Sequence, residues 1–247
     1  MTEKVAIVTG ASRGIGAATA TLLGRNGYRV AVNYRQRSDA ADSVVAQIVA
    51  GGGDAFAVQA DVSDENQIKR LFASVDDRWG RLDALVNNAG ILQPQTPVQS
   101  ITAERLNRIL AVNVFGPFLC CREALQRMKT GGNIVNVSSI ASRTGSPHEY
   151  VDYAASKGAI DSLTIGLAKE VAGRGIRVNA VRPGIIETEI HADGGEPGRA
   201  QRIGATLPLG RAGRSEDVAE AILWLLSDRS SFTTGQFIDV AGGIAPS

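Results

Sequence analysis

The sequence predicts an α/β fold: a doubly wound parallel sheet with helices on both faces, in a single domain. Three observations predict it. Short β-branched runs alternate with longer segments of helical periodicity, the order of successive β-α-β units. The strand-like runs are apolar at consecutive positions, as strands covered on both faces are. No tract of Pro, Ser or charge divides the 247 residues, a length that one α/β domain fills.

The elements follow in order. Residues 5–8 read as the first strand, followed by a glycine-rich turn and an alanine-rich helix to about Asn26. Residues 29–33 are the second strand. Ser38 reads as the N-cap of a helix over 40–50, with Val44, Val45 and Ile48 at helical spacing and Gly51 to Gly53 ending it. Residues 55–59 form a third strand. A helix over 64–79 carries Ile68, Leu71, Phe72 and Val75 as an i, i+3, i+4, i+7 stripe. Residues 82–86 are the fourth strand. One long helix over 103–128 leads to a fifth strand at 133–137, and a helix over 152–174 to a sixth at 177–181. A late helix covers 215–226 and a last strand 236–240. The Gly- and Pro-containing tract 187–213 follows the sixth strand, where loops border the ligand crevice of an open α/β sheet. It is expected to be a substrate lid.

Composition excludes several classes. Lys plus Arg number 26 and Asp plus Glu 25, a net charge of +1, so nothing favours a nucleic-acid or polybasic membrane binder. No run approaches the ~18 apolar residues of a membrane span. The start, MTEKVAIVTGASRG, reads as neither a signal nor a transit peptide, and a cytoplasmic protein is expected. Cys120 and Cys121 are adjacent and make no disulfide framework; they read as small buried helix residues. His148 and His191 lack metal-ligand spacing, so no metal is expected.

Two clusters carry chemistry. Thr9-Gly10-Ala11-Ser12-Arg13-Gly14-Ile15-Gly16 lies between a strand and a helix. Its glycines allow a pyrophosphate to approach the backbone, and the helix N-terminus offers free N–H groups. No Gly-Lys-Ser/Thr follows, which disfavours a P-loop. Tyr153 and Lys157 stand at i and i+4 near a helix start and share one face. A cation beside a phenol favours the phenolate and moves tyrosine toward acid–base work.

Together these residues resemble the short-chain dehydrogenase/reductase family over nearly the whole chain, from Val5 to Gly243. The motifs stand in the family's order: TGASRGIG at 9–16, Asp61-Val62, Asn87-Asn88-Ala89-Gly90, Asn113, Val137-Ser138-Ser139, Tyr153/Lys157, Asn179 and Arg182-Pro183-Gly184. The resemblance implies a Rossmann-type fold and an oxidoreductase moving a hydride between a nicotinamide and a carbonyl or secondary alcohol. Tyr153 would give or take the proton on the reacting oxygen and Ser139 would hydrogen-bond that oxygen. Ser138 is the rival serine, and alignment on the segment after strand five favours Ser139. Lys157 would lower the tyrosine pKa and bind the nicotinamide ribose, and Asn113 would hold a water linking Lys157 to solvent. The Ser139–Tyr153 spacing is one residue longer than in several family members, which bears on the shape of 148–150 rather than on the catalytic set.

The cofactor is expected to be NADP(H). The second strand ends Asn33-Tyr34-Arg35, with no acid until Asp39; a carboxylate there suits a ribose 2′-OH and an arginine the 2′-phosphate. The resemblance places Arg13 at the same phosphate. It places Gly10, Ser12, Gly14, Ile15 and Gly16 in the phosphate turn, Asp61 and Val62 at adenine, and Asn88 and Gly90, with Ala89 between them, around its ribose. Pro183 and Gly184 would flank the nicotinamide, with Ile186 and Thr188 at the carboxamide.

The lid holds His191, Arg199 and Arg202 and few large apolar residues, favouring a small or polar carbonyl over a steroid. His191 reads as a rim residue rather than a catalytic one. Family members that reduce 3-oxoacyl groups on acyl carrier protein dock it on basic residues; Arg174 matches one position, while the other falls at Thr130 beside Lys129. Sugar or polyol dehydrogenation is the alternative activity. A non-catalytic dinucleotide sensor would be expected to lack Tyr153 or Lys157. The family pairs helices like 103–128 and 152–174 across a two-fold axis, which implies a homotetramer (or homodimer).

Overall fold

A computed structural model describes residues 4–244. Seven strands form one parallel sheet in the order β3-β2-β1-β4-β5-β6-β7: β1 (Lys4–Val8), β2 (Tyr28–Tyr34), β3 (Ala55–Gln59), β4 (Ala84–Asn87), β5 (Asn133–Val137), β6 (Arg177–Pro183) and β7 (Phe237–Val240). The order reverses between β1 and β4, which opens a crevice beyond their carboxyl ends.

Three helices, α1 (Gly14–Arg25), α2 (Ser38–Ala50) and α3 (Glu65–Trp79), link the first four strands. Next come α4 (Ala103–Leu110) and α5 (Gly116–Arg127), then α6 (Ala141–Thr144) and α7 (Val151–Val171). Two short helices, α8 (Ile190–Asp193) and α9 (Arg199–Gly204), lie within 187–213, and α10 (Ser215–Leu226) precedes β7.

Successive residues of a strand face opposite sides. In β1, Val5 and Ile7 enter a core beneath α3, α5 and α7 with Leu71, Phe72, Ala124, Ile160 and Leu167. Ala6 and Val8 enter the opposite core beneath α1, α2 and α10 with Leu23, Val44, Ile48, Ile222 and Leu225. Cys120 and Cys121 are buried in the first of these cores, and burial pushes both thiols up, Cys121 to about 12. No helix among the described residues is long and apolar enough to cross a membrane.

Three local expectations change. Ser38 is the first residue of α2 rather than its cap, and Arg37 before it makes no side-chain capping bond. Asp64 caps α3 instead of opening it, accepting from the N–H groups of Asn66 and Gln67 at 2.8 and 3.1 Å. The long helix expected over 103–128 is two helices joined by a π-helical turn, Ala111–Phe115. Pro117 has no N–H to give the Asn113 carbonyl four residues earlier, so the α pattern cannot run through.

Candidate active site

The crevice holds one cavity of ≈ 1100 Å³. One end is lined by Arg35, Asp61 and Val62, the other by Ser139, Tyr153 and Lys157. The β1–α1 turn lies between them. Gly10 and Gly14 take φ of +62° and +53°, conformations that favour glycine. A Cβ on Gly16 would stand 2.4 Å from Gly10 O and Asn88 Nδ2.

The turn is braced from neighbouring strands. Thr9 Oγ1 accepts from the backbone N–H groups of Asn88 and Ala89 at 3.0 Å each. Asn88 Nδ2 donates to the carbonyls of Thr9 and Gly10 at 2.9 and 3.0 Å. Gly10 N donates to Asn33 Oδ1 at 3.1 Å, while Asn33 Nδ2 reaches Val58 O and Ala60 O. The Asn33 side chain is therefore engaged in the framework, although the residue lines the cavity. Gly16 and Tyr34 do not line it: Gly16 is buried under the turn, and Tyr34 packs on the core beneath α1 and α2. The other expected cofactor contacts, Ser12 to Ile15, Asn88 to Gly90, Pro183, Gly184, Ile186 and Thr188, all do.

Burial alone would raise the Asp61 carboxyl, but bonds from Ser63 and the nearby Arg108 and Arg35 hold it below the usual carboxylate range. Arg13 donates through Nη1 to Glu189 at 2.7 Å and through Nη2 to Asp193 at 2.6 Å. Arg37 also bonds Glu189.

At the other end, α7 presents Tyr153 and Lys157 one turn apart, with Lys157 Nζ 5.6 Å from the Tyr153 ring centre. Ser139, at the end of β5, shares a hydrogen bond with Tyr153, and its Oγ accepts from Ala141 N at 3.1 Å. Ser138 faces away, donating to Asp161 at 2.6 Å. Burial pushes the Tyr153 phenol up to about 12, the Ser139 bond opposing it. Burial also lowers the Lys157 ammonium to about 8, against the pull of Asp161. In the protein alone desolvation is the largest influence on both groups.

Lys157 donates to Val137 O at 2.8 Å, one of its three N–H groups. A Cβ on Gly90 would stand 3.5 Å from Lys157 Nζ and from Asn113 Oδ1, so glycine leaves the approach to the ammonium open. Asn113 is fully buried in the π-helical turn. It donates to Ile91 O and Ser156 Oγ and accepts from Ile91 N, which ties the strand-four loop to α7. The turn, the open path to Lys157 and the length of the cavity fit a dinucleotide.

Several contacts around the site were not read from the sequence. Arg182 holds Asp161 at 2.8 and 3.0 Å, and Arg105 holds the buried Asp152 at 2.6 Å. Arg199 fixes α9 to Glu149 and Glu196. His191 is buried on the cavity wall, its Nε2 2.9 Å from Ile186 O; desolvation lowers its pKa. Ser146 and His148 adopt φ of 43° and 66°, so the segment with the longer spacing is strained where it borders the cavity. Asp161 had a signal, since it continues the four-residue spacing of Tyr153 and Lys157. The others pair across distances that periodicity does not report.

Comparison with known proteins places this geometry. Residues 10–245 match a family model described as enoyl-(acyl carrier protein) reductase. The chain is 61% identical over 244 residues, 97% of its length and 99% of the other's, to an uncharacterized oxidoreductase, YgfF, of Escherichia coli (strain K12). It is 41% identical over 247 residues to a 3-oxoacyl-[acyl-carrier-protein] reductase of Synechocystis sp., covering 99% and 98%. It superposes with TM-score 0.91 and 36% identity on the angucycline C-6 ketoreductase LanV with bound NADP, covering 97% and 95%. The ordered motifs, the seven-stranded sheet and these likenesses make the chain a member of the short-chain dehydrogenase/reductase family, an oxidoreductase that works with a nicotinamide cofactor.

Proposed function

We infer that the protein is an NADP(H)-dependent carbonyl reductase, acting in reverse as an alcohol dehydrogenase, on a small polar substrate. The observation that carries this is the Ser139–Tyr153–Lys157 set at one end of a cavity whose other end is lined by arginines. The cofactor supplies or accepts the hydride; the chain binds, orients and moves the proton.

Tyr153, protonated at neutral pH like any phenol and pushed further up by burial, donates its phenolic proton to the carbonyl oxygen. Ser139 has its Oγ lone pair engaged by Ala141 N, which leaves its own proton for that same oxygen. Two donors thus meet the negative charge that develops there. Lys157 keeps two N–H groups for the nicotinamide ribose and favours the phenolate left after transfer. Asn113, in the π-helical turn, positions the strand-four loop against α7 and holds the water that links Lys157 to solvent. Gly10, Ser12, Gly14, Ile15 and Gly16 form the phosphate turn, Arg13 and Arg35 take the 2′-phosphate, and Asp61 and Val62 meet adenine. Pro183, Gly184, Ile186 and Thr188 meet the nicotinamide. LanV, with NADP bound, supports the cofactor choice.

Residues 187–213 act as the substrate lid. Glu149, Tyr150, His191 and Arg199 line the substrate end beside Leu92, Ile190 and Ile203, a wall that offers polar partners to a small polar carbonyl. A 3-oxoacyl thioester is the second reading, favoured by the Synechocystis relative. Arg174, however, gives Nη2 to Leu125 O and Met128 O at 2.8 Å each, which weakens it as an acyl-carrier docking residue. A homotetramer (or homodimer) joined through α4, α5 and α7 is the proposed assembly. Turnover of short hydroxyketones, sugars, polyols and 3-oxoacyl thioesters with NADPH tests the substrate class: preference for the small polar members supports it, and preference for the acyl thioester selects the second reading.

A further inference from the structure

The cations nearest the phosphate turn are bound by acids of the segment that follows β6. Arg13 leaves the β1–α1 turn and Arg37 the end of β2, yet both meet Glu189. Arg13 also meets Asp193 at 2.6 Å. Its two terminal nitrogens are therefore each on a different carboxylate. The segment lies close over the turn, with Thr188 Cγ2 3.3 Å from where a Cβ on Gly14 would stand. Arg13, Arg37, Glu189 and Asp193 all line the cavity, which continues to both sides of them. The ion pairs thus bridge the crevice.

We propose that Glu189 and Asp193 are cofactor-discriminating residues: with Arg13 and Arg37 they form a salt-bridge strap across the dinucleotide crevice that a 2′-phosphate must replace and a 2′-hydroxyl leaves in place. The proposal rests on the reading that Arg13 faces the 2′-position, with Arg37 held beside it through the shared Glu189. A guanidinium binds phosphate through paired N–H groups. On Arg13 those groups are already given to Glu189 and Asp193, so phosphate and carboxylates compete for one fork. A neutral ribose hydroxyl has no such claim. The four side chains are between 40% and 54% exposed, so each pair is weak enough for a phosphate dianion to displace it. The strap therefore opposes NADP(H) selectively, and it loosens the segment over the substrate end when NADP(H) binds.

The test is the dissociation constant of NADPH and of NADH, titrated by protein fluorescence, for the wild type and for Glu189→Gln/Asp193→Asn. The double variant keeps side-chain size and removes both charges. The NADH/NADPH ratio of dissociation constants is expected to rise about fivefold, the scale of one or two exposed ion pairs, mainly through tighter NADPH. An unchanged ratio overturns the strap. The shift should vanish when Arg13→Ala is added, and its persistence there also overturns it. A wild type that prefers NADH removes the NADP(H) reading, while the ratio shift in the double variant still decides the strap.

Discussion

Tyr153, half-buried on the cavity wall, and the buried Lys157 are moved in opposite directions by desolvation. The phenol rises to about 12 and the ammonium falls to about 8, desolvation being the largest cause for both. A phenol of that kind is an acid at neutral pH, suited to carbonyl reduction, whereas alcohol oxidation needs it deprotonated. Alcohol oxidation is therefore expected to accelerate steadily from pH 7 to pH 10, while carbonyl reduction changes little up to about pH 8, as initial rates across that range would show. Lys157 has a consequence for stability as well. Its pKa falls on folding from 10.5 to about 8, so below about pH 8 the fold holds a charge that burial opposes. Between pH 8 and 10.5 that cost disappears as the unfolded chain binds more protons than the folded one. Lys157→Met removes the cost, so its Tm relative to the wild type should be higher at pH 7 than at pH 10. The lowered pKa is the net balance of burial, the Val137 O bond and Asp161, so an equal Tm difference at the two pH values would contradict it.

The elements were legible wherever burial follows sequence spacing. α3 carries its stripe at Ile68, Leu71, Phe72 and Val75, and all four are buried; β3, β5 and α10 have the expected bounds. The break at Ala111–Phe115 was not read, although Pro117 stands in the sequence to mark it; the apolar pattern runs through a π turn, and spacing alone does not report the break. The Tyr153/Lys157 face was legible because four residues make a helical turn. The strap and the Arg199–Glu149 pair were not, since each joins segments 50 to 180 residues apart. At this scale the phosphate turn makes a sharp prediction. Gly16→Ala places a methyl 2.4 Å from Gly10 O and Asn88 Nδ2. Overpacking costs about 1–3 kcal/mol, and in a chain of this size that lowers Tm by roughly 2–12 °C. Thermal unfolding checks it, and an unchanged Tm would mean the turn is not tightly braced.

Across the whole molecule, the two cores stack on a sheet whose strand order reverses between β1 and β4, and the cavity sits at that reversal. Most of the motif residues named from the sequence line the cavity, because they follow the strands in order. Its closure over the middle depends on residues 187–213, whose contacts are long-range. On the outside, α4, the π turn, α5 and α7 carry Leu106, Phe115, Phe118 and Ile165, all exposed in the single chain. If these faces join subunits, Phe115→Lys/Phe118→Lys should shift the particle to a smaller species in light scattering, and a wild type that is already monomeric contradicts that assembly. If Tyr153 delivers the proton at a site that takes NADP(H), NADPH affinity and carbonyl turnover will part company when measured side by side for the wild type and Tyr153→Phe. Loss of turnover by a factor on the order of 10²–10⁴ with NADPH affinity kept is the predicted result. Turnover that survives the substitution would contradict the account.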